Sequence, residues 1–169
     1  VRVLDAEGKG YASDVIAALD WIIANKAAHN IRVVNMSLGT PASQTYKTDP
    51  LCLAARRAVN AGIVVVASAG NNGKDINGAK RYGTINSPGI EPSVITVGAT
   101  NTYGTDARND DTIATYSSKG PTRGWETATN GARVYDNLIK PDLVAPGNKL
   151  IGAQSTQNTN AVIPTLCIY

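Results

Sequence analysis

Short apolar runs alternate with amphipathic segments through the first half of this chain. The run at 63–67, Ile-Val-Val-Val-Ala, has the composition of a central strand, and β-branched residues are also frequent at 31–37. Segments 15–23 and 51–60 carry apolar residues at helical spacing. Parallel strands joined by crossover helices produce this alternation, so the sequence predicts an α/β fold with a mainly parallel sheet.

Residues that favour caps and turns predict where these elements begin and end. Asp49-Pro50 is typical of a helix start and Ala61-Gly62 of a helix end, which predicts a helix over 51–60. Ser13 or Asp14 is expected to cap the earlier helix. Further strands are predicted at 1–4, 94–99, 112–116 and 143–145.

Two polar stretches that contain glycine, 74–86 and 120–140, have the composition of surface additions to this scaffold. Within the second stretch, Asn130-Gly131 lies between β-prone flanks. Both residues of such a pair tolerate the positive φ that a two-residue hairpin turn requires. A surface β-hairpin is therefore predicted near 121–140.

The charge and the apolar content exclude several classes of protein. Sixteen lysines and arginines against 13 acidic residues leave a net charge of +3, too small for a strong nucleic-acid or membrane-surface footprint. No apolar run approaches the roughly 20 residues that span a bilayer. We therefore expect no nucleic-acid partner and no membrane partner, and 169 residues fit a single domain.

Residues suited to cofactor binding or acid–base chemistry are scarce. Gly8-x-Gly10 lacks the third glycine of the dinucleotide fingerprint, and Gly73-Lys74 is followed by an aspartate that would repel phosphate. The single histidine, His29, follows a predicted helix, where a solvated or helix-capping role is expected. Cys52 and Cys167 leave three states open: an internal bridge, two free thiols, or a bond to something outside the chain.

Four motifs follow one another through the chain in a characteristic order and spacing. They are Asn35-Met36-Ser37-Leu38-Gly39, Ala67-Ser68-Ala69-Gly70-Asn71-Asn72-Gly73, Ser87-Pro88-Gly89 with the following 92–99, and Pro141-Asp142-Leu143-Val144-Ala145-Pro146-Gly147. Together they resemble the subtilisin-like serine proteases, the subtilases, from residue 1 to about residue 152. The resemblance implies a doubly wound, mainly parallel α/β sheet, with 1–169 as one partial peptidase domain truncated at both ends.

The resemblance also implies roles for individual residues. Asn71 matches the asparagine whose side-chain amide donates to the oxyanion of the tetrahedral intermediate. Two further segments match those that hold the substrate as an extended strand and line the pocket for the residue before the scissile bond. These substrate-binding residues are Ser37, Leu38 and Gly39 in one segment and Ser68, Ala69 and Gly70 in the other.

The family's catalytic triad of Asp, His and Ser has no counterpart in this sequence. By the family's order, the aspartate and histidine motifs precede the segment that 1–4 resembles, and the serine motif follows the Ala-Pro-Gly at 145–147. We therefore expect this polypeptide alone to be inactive towards its polypeptide substrate. Two alternatives remain open: a non-catalytic peptide-binding or structural module, and one chain of a cleaved protease whose companion chains carry the triad.

The family habit suggests an extracellular or secreted parent protein. Calcium is common in the family, but no carboxylate cluster in this sequence identifies a site, and Asp142 is at most a weak candidate. No other metal or cofactor is expected. A sheet truncated at both ends should expose apolar surface, so a companion chain or self-association is expected to cover it.

Overall fold

The computed structural model describes residues 1–153 and 166–168. Two helices, α1 (Ala12–Asn25) and α2 (Pro50–Asn60), lie among eleven short strands in this part of the chain. The strands are β1 (Val33–Met36), β2 (Thr40–Pro41), β3 (Val64–Ser68), β4 (Asn86–Ser87), β5 (Ile95–Asn101), β6 (Thr112–Ile113), β7 (Trp125–Thr127), β8 (Arg133–Tyr135), β9 (Leu143–Pro146), β10 (Ile151–Ala153) and β11 (Leu166–Ile168).

The central sheet has five strands and is mainly parallel. Strands β1, β3, β5 and β9 lie side by side in that order, all parallel, and β6 joins the carboxyl end of β5 antiparallel. The predicted α/β fold with a mainly parallel sheet is confirmed. Three small two-stranded pairs, β2 with β4, β7 with β8 and β10 with β11, complete the described strands.

Both described helices pack on one face of the sheet. The fully buried alanines of α2, Ala54, Ala55 and Ala58, allow this helix to lie close to α1 and β3. Val65 and Ala67 of β3 point into the same core. On the opposite face, four aliphatic side chains remain exposed, so within the described residues that face is not covered by a helix. The exposed set is Val33, Val64, Ile95 and Leu143.

Helix α2 begins where the sequence predicts. Asp49 Oδ1 accepts hydrogen bonds from the backbone N–H groups of Leu51 at 2.9 Å and Cys52 at 3.1 Å, and Pro50 occupies the first turn. Gly62 follows the helix with a φ of +83°, a conformation that glycine adopts without strain. Local capping chemistry therefore fixes both ends of this helix.

The predicted cap of α1 is wrong. Tyr11 is the N-cap residue and makes no side-chain capping bond, whereas Ser13 and Asp14 lie inside the first turn. Asp14 still favours the helix start, because its negative charge lies near the positive end of the helix dipole. The helix is held chiefly by its buried face, which includes Val15 and Leu19.

The predicted strand at 1–4 is also wrong. Asp5 Oδ1 accepts hydrogen bonds from the N–H groups of Glu7 at 3.0 Å and Lys9 at 2.8 Å, and its own N–H donates to the Lys9 carbonyl at 2.8 Å. The chain therefore turns directly after Leu4, and no described strand pairs with 1–4. Because a strand requires a hydrogen-bonded neighbour, β-branched composition alone does not create one.

The stretch 121–140 contains the expected antiparallel hairpin, in which Trp125 pairs with Tyr135 and Thr127 with Arg133. Its turn is longer than the two residues predicted. The Ala128 N–H donates to the Ala132 carbonyl at 2.9 Å, and Gly131 has a φ of +80°. Such a three-residue loop needs one residue with positive φ, which the glycine supplies, so Asn130 keeps an ordinary conformation.

Candidate functional site

The two predicted substrate-binding segments meet at the carboxyl edge of the sheet. Ser37, Leu38 and Gly39 follow β1, and Ser68, Ala69 and Gly70 end β3 and continue from it. These strands are parallel neighbours, with Met36 opposite Ala67, so their carboxyl ends lie side by side. Ser68 Oγ donates a hydrogen bond of 3.4 Å to the Leu38 carbonyl and joins the two segments. In open parallel sheets, ligands bind at this edge.

Asn86 lies between the two segments. The β2–β4 pairing places Pro41 opposite Asn86, and the Asn86 N–H donates to the Ala69 carbonyl at 3.0 Å. A Cβ atom added to Gly70 would lie 2.7 Å from Asn86 Nδ2, and one added to Gly39 would lie 3.2 Å from Asn86 Cβ. Both glycines therefore face the same amide side chain.

Asn71 projects from a turn that is anchored on both sides. The Gly70 carbonyl accepts a hydrogen bond from the Ser118 N–H at 2.9 Å, and Ser118 Oγ accepts one from the Asn72 N–H at 3.0 Å. The Gly73 N–H donates to the Tyr116 carbonyl at 2.9 Å. Asn71 itself is exposed. Its amide is therefore accessible to a ligand while its backbone is held, the arrangement that a preorganised hydrogen-bond donor requires.

The turn is held by a segment whose serines have structural roles. Ser117 Oγ accepts a hydrogen bond from the Ala99 N–H at 3.0 Å, and Ser118 supports the turn that carries Asn71. Both serines are buried. They act as supports for the carboxyl edge of β5 and the turn after β3.

His29 does not join this edge. It is exposed and follows α1 at the amino end of the sheet, where its ring stacks on that of Trp21 with centroids 5.6 Å apart. The solvated role expected from the sequence matches this position.

Cys52 lies beneath the site without reaching solvent. It is a free, fully buried cysteine whose Sγ lies 3.6 Å from Ser87 Oγ. Burial raises the pKa of this thiol, and the nearby Asp49 carboxylate adds to the increase. A protonated, inaccessible thiol is a poor nucleophile. Cys167 is among the residues whose side chains the structure does not describe.

Asp142 is engaged by a lysine and a backbone amide. Its Oδ2 lies 2.6 Å from Lys140 Nζ and accepts a hydrogen bond from the Thr96 N–H at 2.7 Å. Lys140 is buried and also donates to the Val94 carbonyl at 2.6 Å. The Lys140 ammonium group therefore occupies the position that a calcium ion would need in order to contact Asp142 Oδ2. Within the described residues, no three His, Cys, Asp or Glu side chains are placed to hold a metal ion.

Two residues near the site, Arg81 and Arg123, were not identified from the sequence as functional. Asn86, Arg81 and Arg123 line a cleft beside Gly39 and Gly70, together with Asn72. The only signal in the sequence is that basic residues occur in both stretches interpreted as surface additions. Nothing local indicates that these stretches meet.

The fold and this edge define an α/β protein whose candidate site lies at the carboxyl ends of parallel strands. The chain belongs to the subtilase family, because the model of that family matches residues 1–166. The serine protease AprX of Bacillus subtilis is 38% identical over 160 residues, which cover 92% of this chain and 32% of that protein. An extracellular serine proteinase of a Thermus species is 37% identical, covering 94% of this chain and 29% of that protein.

Solved structures agree with the family assignment. The S41 psychrophilic protease superposes with a TM-score of 0.64 at 26% identity, and sphericase with a TM-score of 0.65 at 27% identity. Each superposition covers 89% of this chain and 43% of the other. By comparison, the chain spans about a third of the length of the two curated relatives named above.

Among the helices of the described residues, none has the length and apolar character needed to cross a membrane.

Proposed function

We propose that this chain forms the substrate-binding and oxyanion-stabilising part of a subtilisin-like serine endopeptidase. The observation that carries the proposal is the exposed Asn71 on an anchored turn, directly beyond the two facing segments that end in Gly39 and Gly70. In this proposal, 1–169 is one segment of a peptidase domain that acts on polypeptides. A serine attacks the peptide carbonyl, the C–N bond breaks as the protonated amine leaves, and water then hydrolyses the acyl-enzyme and frees the serine.

The substrate is held as an additional strand. Ser37, Leu38 and Gly39 lie just beyond the end of β1, and an extended peptide placed along them gains backbone hydrogen bonds. Ser68, Ala69 and Gly70 form the opposite wall. The carbonyl of the scissile bond then lies beside Asn71, whose amide donates to the oxygen as negative charge develops there.

Among the described residues, the single histidine does not reach the site to act as a base for that reaction. His29 precedes β1, whereas Asn71 follows β3, so they belong to opposite edges of the parallel sheet. At about 3.3 Å per residue, the strands separate these edges by roughly 13 Å. A general base must lie within hydrogen-bond reach of its nucleophile. We infer that this chain alone is inactive and that the triad is supplied by other residues of a longer protein or by companion chains.

We propose that the protein is extracellular or secreted. One of its relatives is named as an extracellular serine proteinase, which supports this localisation. The family resemblance also leads us to propose that the protein binds calcium, but we assign no site. Asp142 is not chosen, because Lys140 already neutralises its carboxylate.

The decisive experiment measures kcat and KM in a protease that contains this segment and the triad. Asn71→Ala should lower kcat by about 10²–10³, the loss known for the oxyanion asparagine of subtilisin, with little change in KM. Asn60→Ala is the matched control, because Asn60 is exposed at the end of α2. An unchanged kcat for Asn71→Ala would contradict the proposed role.

The isolated chain provides a second test. We expect no hydrolysis of casein and no labelling by a fluorophosphonate probe. Labelling that His29→Ala abolishes would show that the chain contains its own nucleophile and base. If a protein containing the segment binds peptides but never cleaves them, the alternative of a non-catalytic peptide-binding module is favoured instead.

A further inference from the structure

A cleft of 210 Å³ lies beside the proposed substrate groove. Its lining includes Pro41, Asn72, Arg81, Thr84, Asn86 and Arg123. Two of these residues are arginines, and none of the described residues that line the cleft is acidic. The cleft therefore presents positive charge and hydrogen-bond donors next to the position of a bound peptide.

Asn86 connects the cleft to the groove. Its Oδ1 accepts a hydrogen bond from Asn72 Nδ2 at 3.2 Å, which orients the amide so that Nδ2 lies towards Gly70. Nδ2 would be 2.7 Å from a Cβ atom on Gly70 and 3.7 Å from one on Gly39. An amide donor thus stands in the gap between the two walls of the groove.

The two arginines come from different segments and are both exposed. The guanidinium of Arg123 lies 4.9 Å from the centre of the Tyr135 ring and donates to Asn137 Oδ1 at 3.1 Å, which orients it. The backbone N–H of Arg81 donates to the Gly73 carbonyl at 2.9 Å, close to the turn that carries Asn71. Neither guanidinium forms an ion pair within residues 1–153.

We propose that this cleft selects an acidic side chain, glutamate or aspartate, at the residue before the scissile bond. This inference rests on the proposed function. When the carbonyl of that residue lies beside Asn71, its side chain branches from the adjacent Cα and enters the gap between Gly39 and Gly70. A carboxylate there accepts hydrogen bonds from Asn86 Nδ2 and gains the attraction of the two arginines. A leucine side chain at the same place offers no acceptor to Asn86 Nδ2 and gains no attraction from the arginines.

Peptide binding to the 169-residue chain tests this proposal without requiring the triad. The probes are product-like peptides, acetyl-Ala-Ala-Pro-Glu and acetyl-Ala-Ala-Pro-Leu, titrated by calorimetry at low salt. Both end in the same carboxylate, so only the last side chain differs. We expect the glutamate peptide to bind roughly tenfold more tightly, since two exposed ion pairs and one charge-assisted hydrogen bond contribute. The preference should shrink at 0.5 M NaCl, because exposed charges are screened.

Charge-matched variants separate the cleft from the net charge of the chain. Arg81→Gln combined with Arg123→Gln should abolish the preference. Arg2→Gln combined with Arg32→Gln removes the same charge from two exposed residues that do not line the cleft, and should preserve it.

Three outcomes count against the proposal. If leucine binds as tightly as glutamate in the unmodified chain, the acidic preference is wrong while the peptide groove stands. If both double variants weaken the preference equally, the effect is non-specific attraction and the cleft plays no part. If neither peptide binds, the groove of the proposed function is refuted, and the preference is refuted with it.

Discussion

The pairing of Arg56 with Glu91 provides a stringent test of how the site is held. Arg56 of α2 donates from Nε to Glu91 Oε1 at 3.1 Å and from Nη2 to Oε2 at 2.6 Å. Nη2 also donates to the Tyr46 carbonyl at 3.2 Å. The Glu91 N–H donates to the Pro88 carbonyl at 2.9 Å and closes a turn just after Asn86, so this ion pair fastens the loop beside the proposed groove to the helix.

The burial of the two side chains sets the expected magnitude. The Glu91 side chain is only 2% exposed and that of Arg56 is 31% exposed. Removing one partner of a buried ion pair leaves an uncompensated charge and costs about 3–5 kcal/mol. Because Arg56 is partly exposed, water reaches the space that Arg56→Met vacates, and we expect the lower end, about 3 kcal/mol. For a domain of this size that loss lowers Tm by about 6–12 °C.

Arg57→Met is the matched control, one position further along the same helix. Arg57 pairs with Asp20 at 2.7 Å, but the two side chains are 49% and 53% exposed, so the cost should stay below about 1 kcal/mol. Urea unfolding measures both free energies. Glu91→Gln in the Arg56→Met background should recover most of the loss, because it removes the buried charge. Equal losses for the Arg56 and Arg57 variants would refute the reasoning.

Two further predictions concern packing around the site. Burial raises the pKa of the Cys52 thiol above its ordinary value of 9.0, so the unfolded chain loses this proton at a lower pH than the folded chain. The free energy of unfolding therefore falls above about pH 9, by up to about 1.4 kcal/mol per pH unit. Cys52→Ala should remove this part of the fall when urea unfolding is measured between pH 8 and 10. If the free energy of unfolding falls equally steeply with pH in the variant, the prediction is wrong. A Cβ atom on Gly73 would overlap the Ser117 carbonyl oxygen, so Gly73→Ala should cost about 1–3 kcal/mol or more of unfolding free energy. An unchanged free energy of unfolding for Gly73→Ala would show that the overlap is relieved by a small shift of the backbone.

Local chemistry made several elements predictable from the sequence. Asp49 and Pro50 fixed the start of α2, and β-branched runs located β1, β3, β5 and β9 to within a few residues. The motifs shared with subtilases located the two segments of the proposed groove, and Asn71, at strand ends. These signals act over a few residues, through backbone caps and the alternation of side chains, and therefore survive without knowledge of the fold.

Predictions failed where a distant partner decides the outcome. Residues 1–4 have strand-like composition but lack a hydrogen-bonded neighbour among the described strands, and α1 begins without a side-chain cap because packing of its buried face suffices. In both places a contact far along the chain, or its absence, outweighs the local preference.

The sequence by itself determined the parallel α/β order of the chain, its family, and the placing of Asn71 after a central strand. Only the tertiary structure decided that Asn86 stands between Gly39 and Gly70, and that Arg81 and Arg123 line one cleft beside them. Those two arginines belong to separate surface stretches, and the sequence pattern of each stretch predicts only the local backbone conformation of that stretch. Their convergence depends on strand pairing and packing across the sheet, which bring together residues that no local pattern relates.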